Sequence, residues 1–167
     1  MVYKIVNFIL SFITKRIVFM SLNVITFVFS FYCLKGLFQF MHVFSSMSEQ
    51  EIDQMSETLN GIAGVLVAIG VLLEERETIQ KMANINTKPI DEHLNEVAHH
   101  NGLGLLLIGL FMEIITLLIE APKTIINTSG VEIYLFGFCF LLVIFSMLIE
   151  IDFIKDYTKS YFKKASK

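Results

Sequence analysis

Three glutamates occur at the same point of a pattern that the chain repeats. Glu74, Glu113 and Glu150 each follow a small residue by four positions, and three large apolar residues lie between. The small residues are Gly70, Gly109 and Ser146. Side chains four residues apart share one face of a helix, so each carboxylate stacks on a small residue. A carboxylate in such an apolar helix can carry a proton, coordinate an ion or hydrogen-bond to a neighbouring helix.

Glu113 is the leading candidate for a functional residue. It lies about eleven residues into an apolar stretch, or roughly 17 Å at 1.5 Å per residue, which is close to the middle of a bilayer. An ionised acidic residue at that depth costs about 3 kcal/mol and normally faces the inside of a helix bundle. Two interpretations stay open. Glu113 titrates or coordinates an ion, or it packs by hydrogen-bonding to a polar neighbour such as Asn23, Thr26 or Ser30.

The other charged residues near the ends of these stretches fit an interfacial role better. Glu74 and Glu150 fall near the predicted cytoplasmic interface, where water and long cationic side chains can reach them. Thr116 and Glu120 continue the stripe of Glu113 at helical spacing. We predict Arg76 to be a charge partner for Glu150 or for another protomer.

Glu96, His99 and His100 form a candidate metal site. Glu96 and His99 have the E-x-x-H spacing that di-iron bundles use twice, together with two further carboxylates. The sequence contains one copy, which favours a solvated histidine cluster, and we expect no metal or other cofactor. We also expect no enzyme, because the sequence has no P-loop, CxxC motif or nucleophile arrangement. Its basic cluster lies beside a membrane anchor, which does not indicate nucleic-acid binding.

The elements that carry these residues are predicted to be transmembrane helices. The chain has 167 residues, of which 54% are hydrophobic, and its mean hydropathy of +0.66 is too high for a soluble domain. A transmembrane helix needs about 20 mostly apolar residues. Four stretches reach or approach this length: residues 17–34, 59–73, 102–119 and 131–149. We therefore predict an all-α integral membrane protein with a single domain, residues 1–167, whose four transmembrane helices form a bundle.

The distribution of Lys and Arg predicts that both termini are cytoplasmic, in a bacterial inner membrane. If the spans alternate from an internal N-terminus, every basic residue except Lys35 and Lys123 falls on the inside. Residues 1–16 are predicted to be an amphipathic interfacial helix, and residues 152–167 a Lys-rich cytoplasmic tail. Both would contact the anionic inner leaflet. Residues 78–101 are the predicted cytoplasmic loop.

Small residues give the spans surfaces for close packing. Lipid does not drive helices together by the hydrophobic effect, so membrane helices associate where small residues let their backbones approach. The predicted packing residues are Gly61, Gly64, Ala68, Gly70, Gly102, Gly109 and Ser146. They favour a bundle that assembles as a homo-oligomer. We also predict one continuous helix over residues 53–84 and another that begins after Pro89.

Two functions from different classes fit this organisation. The first is a non-enzymatic membrane subunit that oligomerises and anchors or regulates a soluble cytoplasmic partner, for example in a bacterial defence or signalling complex. Residues 78–101 and the Lys-rich tail would meet that partner. The second is a small ion or proton channel or transporter that uses Glu113. Four helices enclose little space, so conduction would require an oligomer.

Overall fold

The protein is all-helical over the residues that the structure describes. The computed structural model describes Phe12 and residues 16–82, 89–121, 125, 126, 128 and 130–165. These residues form five α-helices: α1 (Arg16–Val43), α2 (Glu49–Glu74), α3 (Arg76–Met82), α4 (Pro89–Glu120) and α5 (Glu132–Ala165). A 3₁₀ turn, Phe44–Ser46, follows α1. The predicted interfacial helix, residues 1–16, lies outside the described residues except for Phe12 and Arg16.

Four of the five helices are long enough and apolar enough to cross a membrane. The candidate spans are Ile17–Ser46, Glu49–Glu74, Glu92–Glu120 and Glu132–Lys159. Large apolar side chains point outward on each of them, and Phe29, Phe111 and Phe145 are all more than half exposed. A soluble protein rarely exposes so much continuous apolar surface. The prediction of four long apolar helices that could span a membrane is therefore confirmed, and the outer surface indicates an integral membrane protein.

Each long helix packs against two neighbours. The most extensive contact joins α2 to α4, and α1 contacts α2 and α5, while α5 also contacts α4. Successive long helices alternate in direction. The start of α1, the end of α2, the start of α4 and the end of α5 therefore lie together, at what we call the proximal end.

Glycines allow α2 and α4 to approach so closely. A methyl group added to Gly70 would lie 2.5 Å from the Leu106 nitrogen, and one added to Gly109 would lie 2.8 Å from the Ala63 oxygen. Gly102 is equally crowded, because a methyl group there would come within 2.6 Å of the Gly70 oxygen. Only residues without a side chain permit this backbone contact, which is the arrangement that stabilises helix pairs in lipid.

The N-terminus of α2 is fixed by a capping box. Ser48 Oγ accepts a hydrogen bond from the Glu51 nitrogen at 3.4 Å, and Glu51 Oε2 accepts one from the Ser48 nitrogen at 2.8 Å. Two amide groups that the helix cannot satisfy internally are paired in this way. The helix consequently begins at Glu49, four residues before the predicted start at residue 53.

The prediction of one continuous helix over residues 53–84 is wrong. The α2 helix ends at Glu74, Glu75 adopts φ −86° and ψ 8°, and α3 starts at Arg76. The segment predicted as a cytoplasmic loop, residues 78–101, is helical up to Met82 and again from Pro89. Proline suits the first turn of a helix, where its missing N–H has no partner to lose. The predicted helix after Pro89 is confirmed and runs without interruption into the third span.

Candidate functional site

Arg76 is the centre of a buried polar network at the proximal end. Its side chain is 3% exposed, and its Nη1 donates a hydrogen bond to Asn95 Oδ1. Asn95 Nδ2 in turn donates to Gln80 Oε1 at 3.0 Å. The guanidinium carbon of Arg76 lies 5.2 Å from the centre of the Phe19 ring, within the range of a cation–π contact. This network therefore joins α3 to α4 and places Arg76 against α1.

Charged residues on the outside of this end form weaker pairs. Glu74 Oε1 lies 3.6 Å from His99 Nδ1, an ion pair only when the histidine is protonated. Lys81 Nζ lies 2.6 Å from Glu77 Oε1 on α3. The hydrogen bond and the charge of Lys81 lower the pKa of the Glu77 carboxyl. Both members of this second pair are exposed, so water screens the interaction.

The candidate metal ligands Glu96, His99 and His100 are exposed on the first turns of α4. The rings of His99 and His100 stand edge to face with their centres 5.7 Å apart. Within the described ranges no group of three or more His, Cys, Asp or Glu side chains is arranged to hold a metal ion.

Glu113 lies at the edge of the α2–α4 contact. Its side chain is half-buried, and none of the hydrogen bonds or ion pairs among the described residues involves its carboxylate. Thr116, one turn further along α4, is fully buried. Its Oγ1 lies 3.4 Å from Asn60 Oδ1. Because α2 and α4 are antiparallel, this contact brings Gly64, one turn after Asn60, alongside Glu113. We expected Glu113 to be sheltered inside the bundle, and its side chain is only partly buried.

Glu150 is the glutamate that the structure encloses completely. Its side chain is 0% exposed, and neither carboxylate oxygen has a hydrogen-bond partner. It lies on α5 one turn after Ser146, whose hydroxyl is also fully buried and donates to the Val143 oxygen at 2.8 Å. Arg76, predicted from sequence as a charge partner for Glu150 or for another protomer, donates a hydrogen bond to Asn95 and none to the Glu150 oxygens.

Polar residues of α1 are buried where α1 packs against α5. Asn23, Thr26 and Ser30 are each at most 2% exposed. Asn23 Nδ2 donates to the Phe19 oxygen at 3.0 Å, and Thr26 Oγ1 donates to the Leu22 oxygen at 2.9 Å. A polar stripe on α1 therefore lies inside the molecule, where α5 contributes Ser146 and Glu150.

The remaining predicted packing residues divide into two groups. Gly70, Gly102 and Gly109 lie in the α2–α4 contact, whereas Gly61 and Ala68 are exposed and Gly64 is half-buried. A methyl group added to Gly61 or Gly64 would meet no atom within 4 Å. Glu120, at the end of α4, is exposed.

Sequence analysis missed Asn95, Gln80 and Asn60. Helical spacing contained a signal for the first two, since Asn95 precedes Gly102 by seven residues and Gln80 follows Leu73 by seven. Extending the buried stripes of α4 and α2 beyond the apolar stretches would have found both. Asn60 directly precedes Gly61 and lies four residues before Gly64, and its contact with Thr116 depends on how α2 is rotated against α4.

No protein-family model, curated protein or solved structure matches the chain.

Proposed function

We propose that the protein is a non-enzymatic multi-pass membrane subunit that oligomerises in the bilayer and anchors or regulates a cytoplasmic partner. The observation that carries this proposal is Glu113, a partly buried acidic residue whose carboxylate is without a partner among the described residues. An acidic group within the apolar part of a bilayer normally faces protein or water rather than lipid. A second chain placed against this side of α4 would provide such an environment.

The neighbouring surface of α2 is suited to contact with another helix. We call it, together with Glu113, the outer face; its residues are Asn60, Gly61, Gly64, Ala68 and Glu113. The open space beside Gly61 and Gly64 would let a second backbone approach α2 as closely as α4 does.

A second copy of the chain is the partner that this face fits best. Asn60 uses Oδ1 in its contact with Thr116, which leaves the two hydrogens of its Nδ2 available. In a twofold pair, Asn60 of each copy can donate to Glu113 of the other, so both polar groups are satisfied at once. Hydrogen bonds of this kind between membrane helices contribute about 0.6 to 2 kcal/mol each.

The proximal end supplies the proposed contact for a soluble partner. We place this end and both termini on the cytoplasmic side of a bacterial inner membrane, where the basic residues favour it. Exposed charged side chains cover the last turn of α3 and the first turns of α4, among them Lys81, Glu92 and Glu96. The buried Arg76 network holds these two helices together beneath them.

Counting copies per vesicle tests self-assembly. Wild type, Gly64→Ile and Gly36→Ile would be labelled, reconstituted at low density in lipid vesicles and counted by stepwise photobleaching. Gly36 on α1 is a matched control, because a methyl group added there also meets no atom within 4 Å. We expect Gly64→Ile to shift the distribution to single copies and Gly36→Ile to leave it unchanged. Single copies in wild type would refute the proposal.

A channel or transporter is a second candidate, favoured by the same position of Glu113. If copies meet at the outer face, each of them brings a mid-helix carboxylate to the contact, and several copies can enclose more space than one bundle. Proton flux into vesicles would establish this function if Glu113→Gln abolished it and Glu120→Gln, which alters an exposed helix end, left it intact. Flux that is equal in both variants would exclude Glu113 from conduction.

A further inference from the structure

Glu150 and Asn23 are fully enclosed and have polar atoms without partners. Both side chains are 0% exposed. Glu150 Oε1, Glu150 Oε2 and Asn23 Oδ1 each lack a hydrogen bond. All three of these atoms are acceptors, and burying an acceptor without a donor is unfavourable.

The register of α1 against α5 places the two residues close together. At the end of the molecule opposite the proximal end, the rings of Phe40 and Phe136 pack with their centres 4.7 Å apart. At the proximal end, Met20 and Tyr157 line one cavity. Nearly equal lengths of helix separate these two contacts, so the antiparallel register puts Glu150 level with Thr26, with Asn23 and Ser30 each about one turn away.

Three of the donors nearest to Glu150 are already used in other hydrogen bonds. Asn23 Nδ2, Thr26 Oγ1 and Ser146 Oγ already donate to backbone oxygens of their own helices. Ser30 Oγ also lacks a partner, about one turn from Glu150 on the other side of Thr26, and its hydroxyl carries a hydrogen of its own. The unpartnered oxygens of Asn23 and of an ionised Glu150 can only accept, so one added hydrogen would pair them with each other.

The charged groups of the neighbouring helices do not fill this role. Arg76 is the buried cation among the described residues. Its Nη1 donates to Asn95, its guanidinium lies over the Phe19 ring, and its Nε has no hydrogen-bond partner and so does not donate to Glu150. On α2 and α4, Glu74 and His99 pair with each other at the outside of the proximal end. On α1, Lys35 is exposed and lies three turns beyond Asn23.

We propose that Glu150 is a buried proton-binding site, in which the neutral carboxylic acid donates its hydrogen to Asn23 Oδ1 and so joins α5 to α1. One proton satisfies two of the unpartnered acceptors and removes a charge that the apolar surroundings cannot stabilise. A proton also needs no space, which suits a side chain enclosed on every side. This site lies inside one copy of the chain and does not depend on self-assembly at the outer face.

Infrared spectroscopy tests the site directly. Wild type would be reconstituted in vesicles of phosphatidylethanolamine and phosphatidylglycerol at neutral pH. We expect a carbonyl-stretch band of a protonated carboxylic acid that shifts in D₂O, disappears in Glu150→Gln and persists in the control Glu132→Gln. If Glu150→Gln instead removed ionised-carboxylate bands, the proposal would be overturned.

A second variant tests the hydrogen bond and does not require Glu150 to be changed. In Asn23→Leu the same band should move to higher wavenumber, because the carboxylic acid loses its acceptor. An unchanged band in a folded Asn23→Leu protein would overturn the assignment of Asn23. Replacing sodium by choline distinguishes a proton from a bound metal cation. The band should not change, and a band that appeared only without sodium would show that a cation occupies the site.

Discussion

Gly70, Gly102 and Gly109 determine how closely α2 and α4 can approach. Gly102 can be compared with Gly61, which lies on α2 outside this contact. At Gly102 an added methyl group would lie 2.6 Å from the Gly70 oxygen, whereas at Gly61 it would meet no atom within 4 Å. Both residues lie within helices. The same chemical change therefore acts against tight backbone packing at one site and against open space at the other.

We predict opposite effects for Gly102→Ala and Gly61→Ala. Forcing a methyl group into the α2–α4 contact should lower the free energy of unfolding by about 1 to 3 kcal/mol. At Gly61 the better helix propensity of alanine should raise it by up to about 1 kcal/mol. Unfolding of the detergent-solubilised protein by added denaturing detergent measures both values. Equal destabilisation by the two variants would show that the packing of α2 and α4 differs from that described.

The comparison of Glu113 with Glu150 shows what a sequence can predict about a single residue. Position along an apolar stretch predicts depth in the membrane, and for that reason Glu113 ranked first. It does not determine which side of the helix faces protein, because rotation about the helix axis depends on the neighbouring helices. The structure buries Glu150 completely and leaves Glu113 half-exposed. The residue expected at an interface is thus the enclosed one.

At the scale of the helices, the sequence predicted what depends on local properties. Apolar length identified all four candidate spans, since crossing a bilayer requires about 20 apolar residues whatever the neighbours are. Pro89 correctly marked the beginning of α4. The small residues identified surfaces for close packing, although they could not show which surface is used within one copy and which remains open.

The break at Glu75 shows what local properties could not predict. The charged residues after Leu73 are compatible with a continuous helix, and each has ordinary helix propensity. The helix instead ends before Arg76. The Arg76 side chain is buried against Asn95 and Phe19, which are distant from it in sequence. A contact between separate helices therefore accompanies the break at Glu75. No pattern within residues 74–82 could have predicted that contact.

At the scale of the whole molecule, polar and apolar surfaces are distributed as a membrane environment requires. The apolar side chains exposed on the long helices can face lipid, and the polar groups of α1, α4 and α5 are mostly enclosed. The outer face is the exception, because it combines open glycines with the half-exposed Glu113. We interpret this exception as the surface through which copies of the chain assemble.

Cross-linking at the outer face tests this claim most directly. In a background with Cys33→Ala and Cys139→Ala, a single cysteine would be introduced by Gly64→Cys or, as the control, by Gly36→Cys, and membranes containing each protein would be oxidised. Assembly at the outer face predicts a covalent dimer with Gly64→Cys and little or none with Gly36→Cys. No dimer with Gly64→Cys, or equal dimer with both variants, would contradict it.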